Sequence, residues 1–419
     1  MRYLISGYYG EKNAGDEAIL AGILQEVSRR DPEARYVVLS FDPDDTRRRH
    51  GGGRELEAVS TGLRPPGRLL QVMSTADLLI SGGGSFLHEA DFELHGRSFL
   101  FREGKLRPVP YFISIVLMAR AQRLPVMWYA QGLGPLHTRS ARRWVAGAAS
   151  LSQAVTWRDP ESARLAYEIG VRAPVHLVVP DPAYALAPAP RDQAQAELAR
   201  SGLDLGTRYL AVCPRPWLGR TGYLEALGEA LEKAGDALDL DILLIPFHEV
   251  QDPPVCETLA ARPGLAGRAH VLPPVVSPAV LAAVLGGAEL VVAMRLHSGI
   301  LAATAGTPAV VVDYDPKTRA FAAQTGQSAW AVDVNTLEGP VDTAAASAAE
   351  AAASAPPASG VAALVEAIVA TAKDLPARRA ALARAVAPLR AEAGRTAALA
   401  VQLAAGGSLT ARAGGPGGF

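Results

Sequence analysis

The apolar run Leu290-Val-Val-Ala293 breaks directly into Met294-Arg295-Leu296-His297-Ser298-Gly299. An arginine at that break can fork onto a carboxylate or a phosphate. A helix opening near Ser298 would add backbone N–H donors and positive potential. His297, two residues on, brings an imidazole, the side chain suited to proton transfer near neutral pH. A lone histidine is more often a satisfied structural residue, but its coupling to Arg295 at a strand-to-helix junction favours an anion site. The next apolar run ends in Asp313-Tyr314-Asp315-Pro316-Lys317, which offers Lys317 as a reserve cation.

The first half of the chain carries three glycine-rich breaks of the same kind. Gly7-Tyr-Tyr-Gly10-Glu-Lys-Asn13-Ala-Gly15-Asp16-Glu17 has the glycine spacing of a phosphate-binding loop. It places Asp16 and Glu17 where such a loop needs Lys and Ser/Thr, so a nucleoside triphosphatase is disfavoured, and it is no dinucleotide fingerprint either. Asn13 and Asp16 then stand near a helix start, where Asp16 either caps the helix or serves a substrate. Ser81-Gly82-Gly83-Gly84-Ser85-Phe86-Leu87-His88-Glu89 follows the third strand. Three glycines exceed what one turn requires, and backbone N–H groups approaching a ligand explain them better. Tyr129-Ala-Gln131-Gly132-Leu-Gly134-Pro135 and Trp157-Arg158-Asp159 end two further strands. Arg158 is either a ligand-facing cation or the partner of Asp159 or another nearby carboxylate.

These breaks need strands to place them. Candidate strands are Arg2–Ser6, Tyr36–Phe41, Asp77–Ser81, Pro125–Gln131, Ala154–Arg158 and His176–Pro180. A second set comprises Tyr209–Pro214, Asp241–Pro246, His270–Pro273, Leu290–Ala293 and Ala309–Asp313. Amphipathic stretches such as Glu17–Arg30, Arg139–Ser152, Glu161–Ile169 and Tyr223–Ala237 lie between them. Strands that are apolar throughout, alternating with helices, predict parallel sheets covered on both faces. The fold class is α/β, with two Rossmann-like, doubly wound domains facing a cleft and C-terminal helices beyond. The proline-rich stretch 180–190 reads as an interdomain linker. The expected division is residues 1–187 (acceptor side), 188–335 (donor anion site) and 336–419. The last part holds an Ala/Ser/Pro-rich segment at 340–360, helices at 361–373 and 376–405, and a Gly-rich tail.

The chain has 419 residues, with 41 Lys+Arg against 42 Asp+Glu and a formal net charge of −1. That balance argues against general nucleic-acid binding. Hydrophobic residues make up 49%, ordinary for a globular protein and too many for wholesale disorder. Cys213 and Cys256 form neither a disulfide framework nor a metal spacing, and a reducing cytosol fits. The N-terminus does not read as a signal peptide, and the most apolar stretch, Tyr111–Met118, falls well short of the roughly 20 residues that span a bilayer. The expectation is a soluble cytoplasmic protein, compatible with peripheral contact at the inner membrane face.

Taken together the motifs resemble the polysaccharide pyruvyl transferase family, in particular its CsaB-type branch. The matching segments are Gly7–Leu20, Ser81–Leu87, Tyr129–Pro135, Arg158-Asp159, Met294–Ser298 and Tyr314–Lys317, in that order over about residues 1–320. The resemblance implies a GT-B-like fold and transfer of a pyruvyl group from phosphoenolpyruvate onto two sugar hydroxyls, closing a cyclic ketal. For the CsaB type it implies a lipid-linked cell-wall polysaccharide precursor as acceptor and a product that anchors S-layer proteins. On that reading Arg295, Leu296, His297 and Ser298, with Arg158 and Lys317, bind the donor. Asn13, Gly82, Gly83, Gly84, Ser85 and Gln131 face the acceptor. His297, Asp16 and Glu89 are the candidates for proton transfer, and no metal or cofactor is expected. The alternatives are a nucleotide-sugar glycosyltransferase of GT-B type and a non-catalytic sugar- or anion-binding protein, because a scaffold does not fix its chemistry.

Overall fold

The computed structural model describes residues 1–61, 66–89, 100–102, 105–203, 206–337 and 360–407. Most of the Ala/Ser/Pro-rich segment (through 359) and the Gly-rich tail from 408 lie outside the described residues. The chain divides into two compact units, Met1–Leu186 with Leu389–Phe419, and Ala187–Pro388.

In the first unit, β1 (Arg2–Ser6), β2 (Arg35–Ser40), β3 (Glu55–Ser60), β4 (Leu78–Gly82), β7 (Val126–Gln131), β8 (Ala154–Trp157) and β9 (His176–Val178) form one sheet. Its order is β3-β2-β1-β4-β7-β8-β9 and every pairing is parallel. A small antiparallel ribbon, β5 (Phe101–Arg102) with β6 (Lys105–Leu106), stands apart. Burial on both faces explains the unbroken apolar runs. Leu4, Leu79, Val126 and Trp128 pack with Phe112, Ile115 and Val116 of the helix Pro108–Ala121 in one core cluster.

The second unit repeats the plan. β10 (Tyr209–Cys213), β11 (Asp241–Leu244), β12 (Ala269–Val271), β13 (Leu290–Ala293), β14 (Ala309–Asp313) and β15 (Ala331–Asp333) are arranged as β12-β11-β10-β13-β14-β15, all parallel. Leu210, Val212, Leu290 and Val292 pack with Leu227, Leu364 and Ile368. The last two belong to the helix Gly360–Lys373. That helix is therefore part of the second unit's core, and the C-terminal helices do not make a third body. The long helix Leu375–Ala404 is shared, its residues from Leu389 onward belonging to the first unit.

In each sheet the strand order reverses once, between β1 and β4 and between β10 and β13. Open α/β sheets bind ligands beyond the carboxyl ends of the strands at such a reversal. The loops after β1 and β4 carry the glycine motifs, and the loop after β13 carries Arg295.

Candidate functional site

At the first unit's reversal the sequence candidates largely come together. Asn13, not Asp16, caps the helix Ala14–Arg30, accepting from the Gly15 N–H at 3.2 Å. Its Nδ2 also donates to Asp16 Oδ2 at 2.6 Å. Asp16 is thus a first-turn acidic residue, a position that the helix dipole favours. Glu17 is fully buried and has a structural assignment. It accepts the Gly10 N–H at 2.8 Å, and its other oxygen lies 2.7 Å from Nε2 of buried His50.

The glycine triplet divides by cause. Gly82 and Gly83 have φ of 134° and 82°, and a Cβ on either would meet the Tyr129 carbonyl oxygen or Ile19 Cγ2 within 2.6 Å. Both glycines are required by the turn and its close packing. The Gly83 N–H, expected to face a ligand, donates instead to Tyr129 O at 2.6 Å. Gly84 has ordinary backbone geometry, and a Cβ there would lie 3.6 Å from Asp16 Oδ1. Gln131, fully buried, donates through Nε2 to Gly84 O and Gly132 O at 2.8 Å each. Its Oε1 has no hydrogen-bond partner. Asn13, Asp16, Gly84 and Gln131 therefore meet around one loop, with an unsatisfied buried acceptor among them.

Two other candidates are held in ion pairs or caps. Arg158 donates to Asp181 Oδ2 at 3.0 Å and also to Ser85 Oγ. Asp159 is not its partner: it caps the helix Pro160–Glu168 through the Ser162 N–H at 2.7 Å. Glu89 sits elsewhere. Its carboxylate accepts from the His137 N–H, the Thr138 N–H and the Thr138 hydroxyl at 2.7–2.8 Å, at the start of the helix Arg139–Ser150.

In the second unit, Arg295 caps the helix Leu296–Thr304 by position, and the Ser298 hydroxyl donates to its carbonyl at 2.6 Å. The guanidinium pairs side-on with Asp252, which is fully buried. Nε lies 3.1 Å from Oδ2, and Nη2 donates to Oδ1. Of five guanidinium N–H groups, these bonds engage two, and the end-on edge, with one N–H on each Nη, is not used by Asp252. Asp252 Oδ2 also accepts the N–H groups of Phe247 and His248, at 3.1 and 2.8 Å. Leu296 and His297 are half-buried in the first turn of the same helix. Lys317 opens the helix Pro316–Gln324, its N–H bonded to Asp315 Oδ1 at 2.8 Å.

Three residues not singled out from the sequence join this edge. Arg215, just after β10, donates from Nη1 to the Tyr314 hydroxyl at 2.5 Å. His248 and Asp252 follow β11. Arg215 and His248 stand shortly past strands that the sequence reveals, so polar residues at strand ends were the available signal for them, whereas Asp252 lies at the far end of the loop and carried no such signal. Both cysteines are free and buried, and burial raises their thiols well above the usual range. Among the described residues, no three His, Cys, Asp or Glu side chains gather as a metal site would require, and no helix is long and apolar enough to cross a membrane.

The polysaccharide pyruvyl transferase family model matches residues 13–316, most of the chain. The chain belongs to the polysaccharide pyruvyl transferase family. No curated protein sequence matches it significantly. Among solved structures, this family member resembles a glycosyltransferase from Rickettsia africae (TM-score 0.59, 9% identity, 97% of this chain and 99% of that one). It also resembles a putative UDP-N-acetylglucosamine 2-epimerase from Listeria monocytogenes (TM-score 0.58, 12% identity, 96% and 95%). A third likeness is to Anabaena HepE, solved with UDP-glucose (TM-score 0.53, 15% identity, 97% and 98%). At these identities the likeness is one of fold, the GT-B-like pair of parallel sheets expected from the sequence.

Proposed function

We propose that this pyruvyl transferase family member takes phosphoenolpyruvate as donor and a cell-wall glycan precursor, lipid-linked as in the CsaB type, as acceptor. The observation that carries the donor half is the free end-on edge of Arg295, held by a buried carboxylate at a helix N-terminus. A pinned guanidinium beside first-turn N–H groups suits a small dianion. Arg215 and Lys317 at the same sheet edge supply further cations for a donor that bears both a phosphate and a carboxylate.

In this reading a proton adds to the donor's methylene carbon and an acceptor hydroxyl oxygen bonds to the adjacent carbon. The bond to phosphate then breaks, and a second hydroxyl closes the ketal. Of the two hydroxyl protons, one balances the new methyl group and the other leaves with phosphate. His297 transfers a proton or bonds the departing phosphate. Asp16, beside Asn13, Gly84 and Gln131, activates the acceptor hydroxyl in preference to Glu89, whose oxygens are already used. The product would serve S-layer anchoring, made at the cytoplasmic face of the membrane. The reaction as drawn uses no metal, so turnover should persist in EDTA.

Replacing Arg295 with Ala removes a charge-assisted contact of roughly 1.5–3 kcal/mol, so phosphoenolpyruvate affinity should fall at least about tenfold. Calorimetric titration measures this directly. Wild-type affinity in Arg295→Ala, or binding of a uridine nucleotide in place of phosphoenolpyruvate, would contradict the donor assignment.

A further inference from the structure

The loop from Pro246 to Asp252 carries a second imidazole to the edge where Arg295 stands. His248 Nδ1 lies 3.3 and 3.4 Å from the backbone nitrogens of Val250 and Gln251. Backbone N–H groups only donate, so Nδ1 is an acceptor and the neutral ring carries its proton on Nε2. The ring is half-buried, and its Nε2 has no part in those two bonds. One oxygen, Asp252 Oδ2, receives both the His248 N–H at 2.8 Å and Arg295 Nε at 3.1 Å. The same fully buried carboxylate therefore fixes the backbone that presents His248 and the fork that presents Arg295. Partial burial and the neighbouring Arg295 charge both lower the His248 pKa, keeping the ring neutral at neutral pH.

We infer that His248 is a donor-binding residue of this site, giving its Nε2–H to an oxygen of the anion gripped by Arg295, and that Asp252 is the positioning residue that ties the two together. The inference rests on the phosphoenolpyruvate reading. A neutral N–H donor beside a fixed guanidinium adds a directional bond without adding charge.

The test is calorimetric titration of the full-length protein with phosphoenolpyruvate, with circular dichroism melts of each variant to confirm folding. His248→Ala should weaken binding about tenfold, the scale of one hydrogen bond to a charged group. A Gln amide nitrogen reproduces Nε2, whereas an Asn side chain reproduces the Nδ1 position. His248→Gln should therefore stay within about threefold of wild type while His248→Asn behaves like His248→Ala. Rescue by Asn and not by Gln would assign the ring to bracing its own loop and overturn the proposal. Wild-type affinity in all three would do the same.

Asp252→Asn should weaken phosphoenolpyruvate binding in the wild-type background and add nothing in an Arg295→Ala/His248→Ala background, where both groups it positions are gone. An equal further loss there would show that Asp252 does not act through Arg295 and His248. If Arg295→Ala itself binds normally, the donor reading falls and this assignment falls with it. If only Arg295→Ala loses affinity, the donor reading stands and the roles given to His248 and Asp252 are refuted.

Discussion

Asp16 and Glu89 are both carboxylates in the first unit, and the sequence offers them equally as bases. Their surroundings separate them. Glu89 is only 7% exposed and accepts three hydrogen bonds at the start of the helix Arg139–Ser150. A protonated or amide side chain there would leave N–H donors poorly satisfied and lose a favourable dipole interaction. Glu89→Gln should destabilise the protein by about 1–3 kcal/mol in urea unfolding and leave donor-saturated turnover near wild type. Asp16→Asn should do the reverse, keeping stability within about 0.5 kcal/mol while phosphate release falls about a hundredfold or more. Loss of turnover in Glu89→Gln with stability intact would exchange the two roles. Arg295, His297 and Asp16 were legible from the sequence because each stands at a strand end or helix start that local pattern reveals. The partners were not legible. Asp181 for Arg158, Thr138 for Glu89 and Asp252 for Arg295 are 23 to 49 residues away, and only the fold joins them.

At the scale of elements, strands apolar on both faces declare themselves, and all eleven read from the sequence are present to within two residues at either end. Four escaped notice: the two-residue strands β5 and β6 of the small ribbon, and β3 and β15, which both lie at the edge of a large sheet. β3 is Glu-Leu-Glu-Ala-Val-Ser, in which only Ala58 is buried, so it lacks the apolar signature of its neighbours. β15 has three residues, too few for a period to show. The glycine triplet illustrates the same limit, because composition cannot tell a glycine needed by the turn from one open to substitution. Gly83→Ala would put a Cβ 2.4 Å from Ile19 Cγ2 at a φ of 82°. It should cost about 1–3 kcal/mol in stability. Gly84→Ala meets Phe86 Cδ1 at 3.3 Å and Asp16 Oδ1 at 3.6 Å, with no strained backbone. It should fold within about 1 kcal/mol of wild type and raise the acceptor KM if Gly84 borders the acceptor. A Gly83→Ala protein as stable as wild type would remove the packing explanation for that glycine.

For the molecule as a whole, the helix Leu375–Ala404 is the one described element divided between the two compact units. Its sequence reads as a plain Ala-rich amphipathic helix, and nothing in that pattern says which unit it serves. The structure divides it near Pro388, after which Ala393, Ala397, Ala400 and Leu403 are buried. Arg390 Nε donates to Tyr184 O at 3.4 Å. A Cβ on Gly394 would come within 2.9 Å of Arg30 and 3.2 Å of Glu26, so this stretch lies directly on the helix Ala14–Arg30. That helix begins at Asn13 and carries Asp16 in its first turn. Burying four small or medium apolar side chains contributes several kcal/mol at roughly 25 cal/mol per Å². A chain ending at Pro388 should therefore melt lower, by about 2–4 °C for each kcal/mol lost, with the loss confined to the first unit. Because Arg295 and Lys317, the residues proposed to bind the donor, lie in the second unit, phosphoenolpyruvate affinity of the truncated protein should stay near wild type below its melting point. Acceptor-dependent turnover should decline as the first unit loosens. Calorimetric scanning with and without phosphoenolpyruvate separates these effects: the donor should raise the transition of the second unit and leave the lowered one where it is. An unchanged melting profile after truncation would show that residues 389–404 contribute no stability to the sheet they cover.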